Sequence, residues 1–377
     1  MTRHYFYTVL ILVLLACSAN RHGVLAPGTD SGGTMHRVVL SDPAHFLEEP
    51  LVYDLVERKS PDGLPNEYFL DVPSVYCDDS VCKIVPVRIF WNLIGEYQRF
   101  ELEKRNKLEK NKGKPFSKKD YQKLDRILQD QSSPFGGISL IEITKTSSSE
   151  GVDAVSGATT IVLDDDATVR GATLTCYTLW RWGNGDVCDS IRRISGDALS
   201  PGNLRSYLNA EHNLKLYAIE QISRRRLFDT ETVASVVRSS YTDMREWSRY
   251  QIRYLEQAPD SVYFSTILNL LSTDDEFQKV ASLNSLLKTK RTAPAGYFDQ
   301  IGKFLPDFDS FQVVDLFLRL MEQKNPGSEL ITEKSFSLLD ENILIGRRVF
   351  WFLSKQKLSS KQEAVLAEFK AANDEYF

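Results

Sequence analysis

From about residue 201 to the C-terminus the chain repeats itself, and the period narrows the available folds more than any other feature. Apolar segments with helical spacing begin near residues 211 (EHNLKLYAIEQIS), 243 (DMREWSRYQIRYLEQ), 274 (DDEFQKVASLNSLLK), 308 (FDSFQVVDLFLRLMEQ) and 341 (ENILIGRRVFWFLSK), offset by 32, 31, 34 and 33 residues. Val313, Phe317 and Leu320 illustrate the spacing, which lines one face of a helix. Pro259, Pro294 and Pro326 fall between these segments and predict a break before a second helix in each period. A helix, a proline-marked turn and another helix at a near-constant interval predict an all-α solenoid over 201–377. Its helix pairs bury their apolar faces only by stacking on their neighbours.

The period resembles that of HEAT and tetratricopeptide repeats, although the consensus residues of those families are absent. Two roles remain open for such a region: a concave surface that binds a protein partner, or a structural extension of the preceding domain. Arg224-Arg225-Arg226 reads as a solvated face.

Residues 46–200 have a different texture. Strand-like runs recur at 67–76, 83–91, 95–102 and 138–144, with Gly95 marking a sharp turn or bulge between two of them. Interspersed helical patterns predict an α+β domain, an antiparallel sheet with helices. Ten basic side chains lie within 104–126, among them Lys104, Arg105, Lys107, Lys110, Lys118, Lys119 and Lys123. A solvated helix starting near Ser117, capped by Ser117 or Asp120, accounts for part of this run. Contact with an anionic membrane or a redox partner is the alternative. Across the whole chain 46 Lys+Arg face 51 Asp+Glu, a net charge of −5 that argues against a general nucleic-acid binder.

The N-terminus reads as an address. MTRHYFYTVLILVLLAC has a basic start and an apolar core from Val9 to Leu15, too short to span a bilayer as a helix. Leu14-Leu15-Ala16-Cys17 resembles the lipobox of bacterial lipoproteins. The resemblance implies a signal peptide over 1–16, a lipid carried by Cys17, and membrane attachment in the bacterial cell envelope. Ser18 after the cysteine then implies the outer membrane, facing the periplasm or the surface. Residues 17–45, with APGTDSGGT at 26–34, read as a flexible tether.

Setting Cys17 aside leaves Cys77, Cys82, Cys176 and Cys188, an even number in an exported chain and so compatible with disulfides. Cys77 and Cys82 bracket a short polar turn between strand-like runs, and Cys176 and Cys188 flank the loop at 183–186. These are the expected pairs. The spacing suits zinc poorly, and no metal site is expected.

The stretch EGVDAVSGATTIVLDDDATVRGATLTCYTLWRWGNG (150–185) carries the one chemical motif. Gly157-Ala158 allow close backbone approach to a ligand, the hydroxyls of Ser156, Thr159 and Thr160 flank them, and a helical pattern runs from about Ala167 to Trp182. VDAVSGATT resembles the flavinylation motif of the FMN-binding domain found in subunits of sodium-pumping NADH:quinone reductases and related complexes. That resemblance implies FMN held by Asp153, Ser156, Gly157 and Ala158, with a phosphoester on Thr159 installed by a flavin transferase. It further implies an electron carrier with a redox partner rather than a turnover enzyme. Tyr177, Trp180 and Trp182 are candidates for the flavin's aromatic walls, with core packing as their other role. The alternative function is a non-catalytic lipoprotein scaffold or protein-interaction module that has lost the flavin.

Two weaker patterns carry less. Asp164-Asp165-Asp166 point in different directions as consecutive residues and read as a helix cap rather than a cation site. Ser354 and Lys357 have the spacing of Ser-Lys hydrolases but no companion motif.

Overall fold

The structure, a computed structural model, describes residues 33–41, 50–75, 84–143, 165–240 and 242–377. It divides into two compact units, one ending at Leu199 and the other spanning Ser200–Phe377.

The first unit is built on a five-stranded antiparallel meander. Its strands β1 (Thr34–Leu40), β2 (Leu51–Lys59), β3 (Pro65–Pro73), β4 (Pro86–Asn92) and β5 (Tyr97–Leu102) lie side by side in chain order. Alternation sorts the side chains: Leu55, Leu70, Val87, Ile89 and Trp91 face the core, while Arg58, Glu67, Arg88 and Phe90 face the other way. The core side is closed by α1 (Lys118–Gln129), α2 (Thr173–Asn184) and α3 (Asp186–Ala198). Leu124, Leu128, Leu179 and Ile191 from these helices fill it, each such burial contributing about 1.5–3 kcal/mol. Trp91 fixes sheet to helix by donating its Nε1–H to the Gly183 carbonyl at 2.7 Å.

Four features of this unit depart from the sequence expectations. Residues 34–40, expected within the tether, form β1, because Val38 and Leu40 bury inward while β2 supplies the ladder. The run 138–144, expected as a strand, is helical over 140–143; Ser139 and Glu142 make a reciprocal cap that starts a helix there. The helix expected from Ala167 begins at Thr173. A 3-10 turn occupies Asp165–Ala167, and Gly171, at φ +78°, separates it from α2. The loop expected at 183–186 shrinks to Gly185, the single residue between α2 and α3. The turn at Gly95 is present: its φ is +79°, and its N–H donates to the Asn92 carbonyl at 3.0 Å.

Between β5 and α1 a small hairpin of β6 (Glu109–Lys110) and β7 (Lys114–Pro115) projects from the unit. Lys112 and Gly113 close it with φ of 64° and 68°.

The second unit is helical throughout: α4 (Pro201–Tyr207), α5 (His212–Arg224), α6 (Thr230–Arg238), α7 (Met244–Leu255), α8 (Asp260–Leu271), α9 (Glu276–Lys288), α10 (Tyr297–Gly302), α11 (Phe311–Lys324), α12 (Glu329–Ser335), α13 (Ile343–Leu353) and α14 (Ser360–Ala372). The chain is therefore an α+β domain followed by an all-α region. The five segments singled out by the period are α5, α7, α9, α11 and α13, and they pack on one another in that order as a row. Contacts between like ends show that the helices of the row run parallel. Arg245 at the start of α7 lies over the Phe277 ring at the start of α9, and Ser310 ahead of α11 hydrogen-bonds to Glu276. At the far ends Lys324 donates to the Thr289 carbonyl at 3.1 Å. Cations tie the rungs together: Lys215 sits 5.5 Å from the Trp247 ring, and Arg291 reaches back to the carbonyls of Glu256 and Ala258 at 2.6 and 2.7 Å.

Candidate functional site

Asp153, Ser156, Gly157, Ala158 and Thr159 lie outside the described residues, as do Cys17, Cys77 and Cys82. The aromatic candidates for a flavin wall are described, and all three are core residues. Tyr177 and Trp180 stand against the Phe135 ring at 5.8 and 6.3 Å, and Trp182 meets the Tyr53 ring at 5.1 Å. Trp180 donates Nε1–H to the Asp130 carbonyl at 2.8 Å. All three rings are buried in the core of the first unit. Among the described residues the buried Tyr177 hydroxyl, Thr178 Oγ1 and Trp182 Nε1 have no hydrogen-bond partner, three such polar atoms on one helix.

The expected Cys176–Cys188 bridge is not formed; both are free thiols. Cys176 Sγ accepts from the Val169 N–H at 3.3 Å near the start of α2, whereas Cys188 Sγ donates to Gly183 O at 3.3 Å beyond its end. The intervening helix separates them by about 10 Å, too far for a disulfide.

On the outer face of the sheet, Phe69 and Phe90 pack at 5.6 Å outside the main core, roofed by guanidinium groups. Arg99 lies 3.7 Å from the Phe90 centroid and Arg88 4.4 Å from that of Phe69. Arg88 makes two 2.8 Å bonds to Asp71, and Glu67 pairs with both Arg58 and Arg99. Their hydrogen bonds hold the Glu67 carboxyl below its ordinary range despite burial, and with Glu101 3.2 Å from Arg99 the three carboxylates balance the three guanidinium groups on this face of the sheet.

Other suspected groups are likewise occupied. The Ser354 hydroxyl donates to the Phe350 carbonyl at 2.8 Å, a helix-internal bond. Ser285 joins buried Tyr263 to exposed Glu256 at 2.8 Å each, a chain of hydrogen bonds with no basic member. Among the described residues no group of three metal-binding side chains converges, and no helix is long and apolar enough to cross a membrane.

What remains open is the edge formed by the N-terminal ends of the parallel row. Phe277 is 41% exposed, Phe311 44% and Leu344 58%, each in the first turn of its helix. Trp351, 52% exposed, continues the line two turns further along α13. Local sequence explains the arrangement. Asp275 and Asn342 cap their helices by accepting from Gln278 N–H at 2.8 Å and Ile345 N–H at 3.1 Å, which places the apolar residue two positions on at the solvent edge. Exposed acids accompany it at Asp274, Glu276, Asp309, Asp340 and Glu341. At the starts of α9, α11 and α13 the edge thus sets apolar beside acidic side chains, with the Arg245 guanidinium 5.4 Å from the Phe277 ring. Sequence reading missed it: the starts of α9, α11 and α13 each carry an acid followed within three residues by Phe or Leu, a pattern that does not by itself distinguish an exposed ring or side chain from a buried one.

Protein-family models, curated proteins and solved structures, each compared with the chain, give no match.

Proposed function

We propose that the protein is an exported, lipid-anchored scaffold whose helical repeat docks a partner protein along this edge. The observation that carries the reading is the exposure of Phe277, Phe311 and Leu344 at like ends of three successive parallel helices. Large apolar side chains exposed in a row are a feature of binding surfaces rather than of a free face. Helices packed side by side are spaced by about 8–10 Å. Three residues of polyproline-like chain cover about 9 Å, so a partner segment with an apolar residue at every third position matches the spacing. Lysines or arginines between those positions suit Asp274, Asp309 and Glu341. The lipid on Cys17 supplies the address, as the lipobox resemblance implies.

The test compares the wild type with a Phe277→Ser, Phe311→Ser, Leu344→Ser triple variant as bait for cross-linked envelope proteins. The reading expects a partner retained by the wild type, lost by the variant and competed by a basic peptide with apolar residues three apart, at unchanged melting temperature. Equal retention by both baits overturns it.

A second reading, an electron carrier with FMN linked to Thr159, is favoured by the VDAVSGATT motif. When bound, the flavin supplies one- and two-electron chemistry; the chain's own part is to hold its phosphate. Co-expression with a flavin transferase and in-gel fluorescence tests this. Fluorescence abolished by Thr159→Ala supports the carrier, and none in the wild type removes it.

A further inference from the structure

We propose that the segment 104–119 of the first unit is an electrostatic platform that lays this unit on an anionic phospholipid bilayer. The inference is independent of the docking edge and of Thr159.

Lys104, Arg105, Lys107, Lys112, Lys114, Lys118 and Lys119 are all exposed, and none has an ion-pair partner among the described residues. Glu109 is the only acid between positions 104 and 119. Lys110 is the exception: it pairs with Asp120 at 2.9 Å and is neutralised there. In a chain of net charge −5 the segment concentrates positive charge on the β6–β7 hairpin and the residues that flank it.

That projection is held rigidly. Leu108 and Phe116 bury beneath it, and Phe116 N–H donates to the Leu108 carbonyl at 2.8 Å. The Tyr121 hydroxyl accepts from Leu108 N–H at 3.0 Å, and the Asn111 N–H donates to the Gly171 carbonyl at 2.7 Å. The cations are thus presented on a fixed backbone rather than on a coil, and no folding cost is added when they meet a charged surface.

Chemistry selects the partner. Six of the seven unpaired cations are lysines, compact point charges on flexible stems rather than the planar forks that read individual phosphates. No exposed aromatic is interleaved to stack on bases, which disfavours a single-stranded nucleic acid. Lysines distributed over a projection suit a uniformly charged plane, and anionic lipid attracts each basic residue additively within a Debye length. Such a patch complements a lipid anchor, since two weak attachments together hold a protein at a surface where one is marginal.

The experiment uses the chain from residue 17 on with Cys17→Ser, so that no acyl chain contributes. Its co-sedimentation is measured with vesicles of phosphatidylcholine alone and with about one third phosphatidylglycerol. Binding is expected only to the anionic vesicles and is expected to be released at about 0.5 M salt. Lys112→Glu, Lys114→Glu, Lys118→Glu together are expected to weaken it by about tenfold or more. A second set, Lys104→Gln, Arg105→Gln, Lys107→Gln, is expected to weaken it as well. Lys288→Glu, Lys290→Glu, Lys303→Glu in the helical unit are expected to leave it unchanged, and circular dichroism checks that all variants fold. Absence of binding to anionic vesicles, equal loss in the helical-unit control, or capture of an acidic protein in place of lipid overturns the proposal.

Discussion

Burial governs the chemistry of the two described cysteines. It pushes the Cys176 thiol up to about 11 and the Cys188 thiol up to about 12, so at pH 8 each is almost entirely the unreactive thiol. Alkylation of the native protein is therefore expected to be slower than that of an ordinary thiol by roughly a hundredfold at Cys176 and a thousandfold at Cys188. Unfolding without reductant is expected to expose both to iodoacetamide, and peptide mass spectrometry reads the adducts; a bridged pair would take none. Gly95 is equally constrained. A Cβ there would stand 2.7 Å from the Cys188 carbonyl oxygen on a backbone with φ of +79°, so Gly95→Ala is expected to cost about 2 kcal/mol or more in urea unfolding. Asp120 supplies the pH dependence. The hydrogen bond from Lys110 lowers its carboxyl to about 2 from an ordinary 3.8, so its contribution is complete above the higher value and fades as pH falls toward the lower. Asp120→Asn is expected to remove that acid-side loss, seen as a flatter stability profile between those two values.

At the scale of elements, the linkers carry much of the order in the helical unit. Arg291 follows α9, yet its guanidinium donates to Glu256 and Ala258 carbonyls, pairs with Asp260 at 2.9 Å and lies 4.7 Å from the Tyr263 ring. It satisfies the end of α7 and the start of α8 together. Arg291→Ala is expected to destabilise this unit by about 2–3 kcal/mol in chemical denaturation, with Arg291→Lys recovering only part, because one ammonium cannot reach all three acceptors. Elements of this kind differ in how plainly they can be read. The first helices were visible because capping residues and prolines punctuate an unbroken 3.6-residue pattern: α5, α7, α9 and α13 start within two residues of the positions expected, and α11 within three. β1 was hidden because it is an edge strand that buries only Val38 and Leu40, following a glycine-rich stretch whose composition signals a linker. The stretch 138–144 has a strand's composition, and only the Ser139–Glu142 cap overrides it. The candidate edge was illegible for a different reason: exposure at one helix end depends on which rungs are neighbours, and single helices do not encode that.

At the scale of the whole molecule, the two units call for different expectations. The first closes a sheet and helices around one core, so damage there is expected to be felt throughout it. The second transmits stability only between adjacent rungs. Phe317→Ala in α11 removes a fully buried ring and is expected to cost about 3–5 kcal/mol. Hydrogen exchange followed by mass spectrometry is expected to show protection falling most in α9, α11 and α13 and least in α5; a uniform loss would mean that the helices act as one block. The parallel row has a further consequence. Lys215 lies over Trp247 of the following rung, and Lys279, at the corresponding place 64 residues on, lies 5.5 Å from the Phe308 ring that leads into the next. Because each such joint ties a rung to its successor, the array is built of repeated steps. A gene duplication that copies one such cassette in frame lengthens the protein by a step, and with it the edge available to a guest, without redesigning either terminus.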